Sequence, residues 1–337
     1  MKSKTTRLRA IVLAGGSGER FWPLSTPERP KQFLNIFGGK SLIRQSMERL
    51  SGLAGASDVF VVTSAALAAA TRRELPDVPK ENIVGEPMRR DTGAAVALGV
   101  AKAAANMSGD TVLAFFPADQ LITRPAAFRT ALRKAISRAK AADTVVTLGI
   151  KPDRPATGYG YIDPKSGRFF EKPTESKARS YLKKGFLWNA GMFIARASVF
   201  RSAFETHAPQ LMAVFGACDG GRTSQAALKK LYEALPRISF DYAVMEKLPR
   251  VEVVPADCGW DDVGGYTAFD RHFPHDDGGN VVDGPCRLLD AEGNICVSRG
   301  AAISLLGVRN LVVVATRNAV LVADKSRVGD MKKLLAR

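Results

Sequence analysis

Cysteine is scarce in this chain: four in 337 residues, at Cys218, Cys258, Cys286 and Cys296. They form no tight pair in the sequence and no metal-ligand spacing. That argues against a disulfide-stapled scaffold or a zinc site and makes a reducing compartment the simpler setting. Histidine is scarcer, at three. None sits in a cluster; His272 and His275, followed by Asp276 and Asp277, read as a solvated turn, so imidazole chemistry is not expected. No uninterrupted apolar run approaches the ~18 residues that a bilayer span requires. The basic stretch 1–10 leads into an apolar run that stops at Ala14, too short for a signal-peptide core and without a small-residue cleavage site after it. A cytoplasmic protein with no membrane partner is expected.

What is present is an ordinary globular composition, 46% hydrophobic and 24% charged, in a chain long enough for two domains. The formal net charge of +16 suits nucleic acid, a membrane surface or anionic small substrates. Lys and Arg are scattered in short pairs rather than gathered into a stripe with interleaved aromatics. A generally basic solvated surface follows, and no nucleic-acid partner is expected.

Through the first two-thirds, β-rich apolar runs at 11–14, 59–63, 112–116 and 145–149 alternate with helix-like segments at 41–50, 65–75, 94–105 and 128–141. That rhythm predicts a doubly wound α/β layer structure built on a parallel sheet. Ligands in such sheets sit at the carboxyl ends of the strands, which directs attention to the loops after Ala14 and Phe116. A mixed region follows over 151–265. Beyond His275, short apolar runs at 287–289, 295–297, 302–306, 311–315 and 320–323 are broken by Gly, Asn or Asp. This is all-β material with tight turns, its spacing too irregular to define a repeat, closed by a basic amphipathic helix over 328–335. The expected domains are residues 1–275 and 276–337.

The loop within IVLAGGSGERFWPLS, residues 11–25, carries the first chemistry. It fails the dinucleotide pattern, because Phe21 stands where the third glycine belongs, and Pro23 interrupts any helix. The Walker pattern fails at Leu34, which leaves Gly39-Lys40-Ser41 as a turn into the helix that follows. What remains is strand, glycine loop, Arg20, then Pro30-Lys31-Gln32. Glycines admit phosphate oxygens close to backbone N–H groups, and Arg20 and Lys31 add fixed and mobile positive charge for a polyphosphate.

The stretch LAGGSGERFWPLSTPERPKQFL resembles the signature of the nucleotide sugar pyrophosphorylases, the sugar-1-phosphate nucleotidylyltransferases. The likeness continues through GEPMRRDTGAA, FFPADQLI, TGYGYI, FEKP, WNAGMF and GWDDVGG. These motifs stand in order and cover nearly everything from Arg9 onward; the F-W-P-L-S and P-K-Q-F-L variants most resemble the bacterial branch that transfers a guanylyl group to mannose 1-phosphate. The resemblance implies a Rossmann-like nucleotidyltransferase fold with a mixed, mainly parallel sheet and a small C-terminal β-helix-like domain. It also implies GTP and mannose 1-phosphate as substrates, Mg2+ as cofactor and a homodimer. Another hexose phosphate or nucleotide is the alternative, and a non-catalytic basic nucleic-acid-binding or regulatory protein on the same fold is a lesser one. With the chain ending at Arg337, a single activity is expected.

The resemblance assigns roles residue by residue. Arg20 and Lys31 would bind the triphosphate and the departing pyrophosphate. Asp119, just past an apolar strand, and Asp262, in the W-x-D-x-G pattern, would hold the metal, since magnesium takes one or two carboxylates plus phosphates and water. Lys172 would hold the sugar phosphate as a mobile point charge, while Gly160, Glu171 and Asn189 match positions at the sugar. Leu13, Ala14, Gly15, Gly16, Gly18, Glu86, Asp91, Thr92 and Gly93 match the nucleotide pocket, where backbone groups are expected to read the guanine edge. The chain departs from the family pattern at Gln120, where histidine is frequent, and at Asp91-Thr92-Gly93, where Asn-Thr-Ala is frequent.

Overall fold

The computed structural model describes residues 8–16, 18–105, 110–218 and 224–336. Two compact units account for them. One is drawn from Met1–Gly15, Arg44–Ala118 and Ile122–Trp260, the other from Gly16–Ile43, Asp119–Leu121 and Asp261–Arg337. The second unit therefore gathers the glycine-loop segment and the Asp119 turn with the C-terminal β material.

The first unit is built on a sheet of nine strands among the described residues. Its main path runs Glu252–Pro255, Val146–Ile150, Leu187–Arg196, Val112–Pro117, Leu8–Ala14, Val59–Ser64, Ile83–Glu86. Leu8–Ala14 pairs in parallel with both Val59–Ser64 and Val112–Pro117, and Ile83–Glu86 extends the parallel block. Leu187–Arg196 is antiparallel to both of its main-path neighbours, which makes the sheet mixed but mainly parallel. Leu8–Ala14, Val59–Ser64, Val112–Pro117 and Val146–Ile150 are the strands that the apolar runs predict, each within a few residues. The strands at 83–86, 187–196 and 252–255 were not anticipated. Ile83–Glu86 is only four residues long, and Leu187–Arg196 is buried along most of its length, so neither shows the alternation that betrays a strand.

Helix Asp91–Ala104 lies buried along Gly93–Val100. Its Val96, Leu98 and Val100 belong to one hydrophobic core with Ile11, Leu113, Phe115, Phe200, Phe204 and Phe240. A helix buried all round offers no polar face, which is why its sequence shows no clean amphipathic period.

In the second unit, parallel strands Val281–Asp283, Ile295–Ser298 and Leu311–Ala315 form a sheet that antiparallel Val320–Asp324 completes. Cys286–Leu289 and Ile303–Leu306 form a second, parallel pair. This is the expected β-helix-like arrangement, closed by a short turn and helix Met331–Leu335. Its core includes Val281, Ile295, Val297, Val312, Val314 and Leu321, continuous with Phe21, Leu34, Phe37, Tyr266 and Phe269. Successive coils are joined by stacked asparagines. Asn294 donates its backbone and side-chain N–H groups to Asn280 Oδ1, both at 2.9 Å, and its Oδ1 accepts from the Leu311 N–H at 2.8 Å. Asn294 is fully buried, so Asn294→Ala strips partners from buried groups. The expected cost is about 2–3 kcal/mol, read as a lowered denaturant midpoint with unchanged slope.

Candidate active site

The glycine loop is shaped by contact as much as by freedom. Gly18 has φ 63°, and a Cβ there would sit 2.3 Å from the Lys31 backbone nitrogen and 2.6 Å from its Cβ. Only glycine lets the two segments approach so closely in a left-handed conformation. Gly18→Ala is expected to remove both soluble yield and turnover, with a stability loss of roughly 3 kcal/mol or more, measured by thermal melts. Gly16, by contrast, has open space where a side chain would go.

That approach places Lys31 between acids. Its Nζ donates to Asp119 Oδ2 at 2.9 Å and to the Asp262 carbonyl at 2.6 Å, with the lysine side chain nearly buried. Arg20 is exposed, and a Cβ built on Gly264 would touch both Arg20 Nη1, at 3.2 Å, and Asp262 Oδ2, at 3.3 Å. Thus Arg20, Lys31, Asp119 and Asp262 come together. Burial pushes the Asp262 carboxyl above its ordinary range; Lys31 pulls it down, and the Asp119 carboxylate pushes it up again. Two hard oxygen donors whose mutual repulsion needs a cation fit the preference of Mg2+ for few carboxylates plus phosphate oxygens. Among the described residues no three acidic, histidine or cysteine side chains form a richer ligand set.

The neighbouring acid does different work. Asp261 accepts from Arg271 Nε at 2.6 Å and Nη2 at 3.0 Å, from the Val263 N–H at 2.7 Å, and pairs with His272 Nε2 at 2.8 Å. Burial alone would raise its carboxyl, but the bonds from His272 and Arg271 outweigh it and hold Asp261 well below the usual carboxylate range. Val263, β-branched, is held at φ 48°, a conformation that persists only where surroundings over-determine it. Asp261 is therefore a clamp on the turn that carries Asp262. His272 is not part of a solvated turn: it lies in helix Ala268–His272 with its ring against Asp261. The separation of eleven positions between acid and imidazole hid that pairing.

In the sheet unit, Leu13–Gly15 occupy the carboxyl end of the central strand, with Leu13 O accepting from the Ala118 N–H at 2.9 Å and Ala14 O accepting from Thr63 Oγ1 at 3.0 Å. Glu86 ends the adjoining parallel block, and its Oε2 lies 3.7 Å from where a Gly15 Cβ would stand. Tyr232 donates its hydroxyl to Glu86 Oε1 at 3.2 Å. Burial, opposed by that bond and assisted by the Asp91 charge, brings the Glu86 carboxyl to about 7. Asp91 begins a helix at φ 64°, with its Oδ1 accepting from the Thr92 N–H at 2.7 Å. Thr92 Oγ1 accepts from the Phe240 N–H at 2.9 Å. Gly93 turns toward Ile238, whose carbonyl its N–H meets at 3.0 Å and where a Cβ would collide at 2.6 Å. Thr92 and Gly93 thus brace this segment against residues 238–240.

A second cluster in the same unit joins the residues assigned to the sugar. Lys172, at φ 40°, donates Nζ to Glu171 Oε1 at 2.5 Å, and Asn189 N–H donates to Gly160 O at 2.8 Å. A Cβ on Gly160 would lie 2.8 Å from Glu171 Oε2. The Asn189 amide is fixed by Thr147 Oγ1 and the Gly191 N–H on its oxygen, and it donates Nδ2 to Asp241 Oδ1 at 3.1 Å. Asp241 was not anticipated. Burial and the Glu171 charge raise it to about 7 against the pull of Lys172. Burial would lower the Lys172 ammonium, but its bond to Glu171 and the charges of Glu171 and Asp241 raise it. In the sequence, Ser239-Phe240-Asp241 looks like a capped helix start, and the Ser239 hydroxyl does accept from the Tyr242 N–H at 3.2 Å. Tyr232, inside an ordinary amphipathic helix, carried no signal at all.

Left-handed backbone at Asp91, Lys172 and Val263 marks three of the five such non-glycine residues described. All three lie at or beside a residue assigned to chemistry, where strain is expected to concentrate.

Comparison with known proteins identifies a nucleotidyl-transferring enzyme. The nucleotidyl transferase family matches residues 9–277, and the mannose-phosphate isomerase/GMP-like β-helix domain matches residues 285–337. The chain belongs to the nucleotidyl transferase family. It is 34% identical, over 97% of its length and 73% of the relative's, to a mannose-1-phosphate guanylyltransferase of Klebsiella pneumoniae. A protein of the same name from Escherichia coli K12 is 34% identical over 98% of this chain and 73% of its own. Among solved structures, one from Thermus thermophilus, described as a mannose-1-phosphate geranyltransferase, superposes with TM-score 0.88 at 35% identity, covering 98% of this chain and 99% of that one.

Proposed function

We propose that this enzyme is a mannose-1-phosphate guanylyltransferase, converting GTP and mannose 1-phosphate into GDP-mannose and pyrophosphate. The observation that carries the chemistry is Lys31 held between Asp119 and Asp262 beside Arg20, in a chain sharing a third of its residues with enzymes of that name. Such a set of fixed charges suits a triphosphate, not an apolar prenyl chain.

A phosphate oxygen of mannose 1-phosphate attacks the α-phosphorus of GTP, and the bond to the β-phosphate bridging oxygen breaks. The obstacle is repulsion between anions, so catalysis is positioning plus charge neutralisation. Arg20 and Lys31 bind the triphosphate and balance the charge of the leaving pyrophosphate. Lys172 holds the nucleophilic phosphate, while Asp241, Glu171 and Asn189 offer acceptors and a donor to sugar hydroxyls. Asp119 and Asp262 would hold Mg2+, which supplies neutralisation of phosphate charge when bound. For the base, the Glu86 carboxylate is suited to accept from the N1–H and N2–H groups of guanine, giving a side chain the part that the sequence left to backbone groups.

No helix of the described residues is long and apolar enough to cross a membrane. A cytoplasmic setting and a homodimer belong to the proposal, and light scattering at working concentration checks the second. The central test is a panel of nucleoside triphosphates and sugar 1-phosphates with pyrophosphate release as readout, with and without magnesium. Magnesium-dependent turnover highest for GTP with mannose 1-phosphate is expected. Highest turnover with UTP or dTTP would overturn the assignment.

A further inference from the structure

Cys286 and Cys296 take no part in this chemistry, yet the fold brings them into contact. Cys286 opens strand Cys286–Leu289 and Cys296 lies in Ile295–Ser298. Ten positions apart in the chain, their Sγ atoms are 3.1 Å apart, with the Cys296 thiol donating to Cys286 Sγ. All four cysteines are free, as the sequence leads one to expect, but two of them touch. Between them the chain reverses through Asp290 at φ 51° and Gly293 at φ 65°, a turn that no linear spacing rule anticipates. The gap exceeds a disulfide bond of ~2.0 Å by about one ångström.

The two thiols are not equivalent. Cys296 is fully buried in a small cluster with Ile303, Val313 and Ala315, while Cys286 lies at the edge of that cluster, half-buried. Burial, together with the bond and charge of Cys286, pushes the Cys296 thiol far up, so Cys296 stays protonated and directs its hydrogen at Cys286. Cys286 Sγ in turn points at the Cys296 carbonyl at 3.9 Å, so the two residues meet through both sulfurs and the backbone. By exposure Cys286 is the accessible nucleophile and Cys296, in contact with it, the resolving thiol, the pairing that redox-responsive cysteines need.

We propose that Cys286 and Cys296 form a reversible oxidation site, at which hydrogen peroxide converts the two thiols into an intramolecular disulfide. The Cys286 sulfur attacks one peroxide oxygen, the O–O bond breaks, and the departing hydroxide takes up the proton that the Cys286 thiol gives up, leaving a sulfenic acid and one water. The Cys296 sulfur then attacks the Cys286 sulfur. The S–O bond breaks, and the hydroxyl leaves with the Cys296 proton as a second water. Two thiols lose two hydrogens and two electrons, and one peroxide becomes two waters. A dithiol reductant reverses the change by thiol–disulfide exchange. The cross-link joins strands of successive coils of the β-helix-like unit and restrains that unit's unfolded chain.

The test uses the whole chain, reduced, freed of reductant and exposed to hydrogen peroxide. Thiols titrated after denaturation are expected to fall from four to two, the intact mass to drop by about 2 Da for two lost hydrogens, and peptide mapping to recover the 286–296 link. Dithiothreitol restores all four, and Cys286→Ser, which changes a half-buried position, forms no link and shows no such mass loss. Retention of four thiols, capture of Cys286 as sulfinic acid without the link, or cross-linking between chains would each overturn the proposal.

Discussion

Asp262→Asn is expected to lower kcat by ~10³-fold or more while leaving the protein as stable as before, or more stable. The substitution keeps size and hydrogen-bonding capacity and removes one charge. In the resting enzyme that charge is a burden: burial raises the Asp262 carboxyl, and Asp119 repels it, with Lys31 and Arg20 in partial compensation. Removing one of two repelling acids relieves the fold and, on the function proposed above, takes away one of the two carboxylates that would hold Mg2+. The adjacent Asp261→Asn is expected to do the reverse in stability. It leaves Arg271 and His272 facing an amide in a largely buried place, at a cost of roughly 2–3 kcal/mol, with activity lost through misplacement of the Asp262 turn. Melting temperature and kcat measured on both variants separate the roles. Asp262→Asn with full GDP-mannose synthesis would remove Asp262 from the chemistry, and an unaltered melt for Asp261→Asn would remove the clamp.

The pair also shows what a sequence can carry. Asp119 stood out because an apolar run ended three residues before it, and Asp262 because it sat in a glycine-bounded motif. Both signals are local, and both residues meet Lys31. The strands flanking the glycine loop were legible for the same reason, since buried parallel strands are short continuous apolar runs. What was hidden is what folding supplies at long range. Arg271 and His272 meet Asp261 across a helix, Tyr232 meets Glu86 from 146 positions away, and Asn189 meets Asp241 from 52. None of these contacts has a periodicity or a motif. The core that Phe21, Leu34 and Phe37 share with residues near 300 was hidden likewise. Gly93 was legible as important, but its place in the pocket segment concealed that it makes room for the Ile238 carbonyl.

Glu86→Gln is expected to lower kcat/KM for GTP some thirtyfold, the equivalent of about 2 kcal/mol for one bidentate contact, and to narrow the preference for GTP over ITP. A carboxylate accepts from both guanine donors; an amide turns one acceptor into a donor facing N–H. Inosine lacks the N2 amino group, so the wild-type preference reports the second contact directly. Because burial, moderated by the Tyr232 hydroxyl and reinforced by Asp91, brings Glu86 to about 7, only about a tenth is ionised at pH 6 and about nine-tenths at pH 8. The KM for GTP should therefore fall as pH rises through that window. The triphosphate titrates nearby as well, so the informative quantity is the ratio of wild type to Glu86→Gln, in which the substrate's own ionisation cancels. Stability runs the opposite way. A carboxyl raised in the folded state contributes stability that is fully present below its ordinary value of 4.5 and lost as pH rises through about 7. Glu86→Gln should then gain on wild type in melting temperature between pH 5 and pH 8 while it loses in guanine recognition. A ratio independent of pH, with GTP preference intact in the variant, would take the base-reading role away from Glu86.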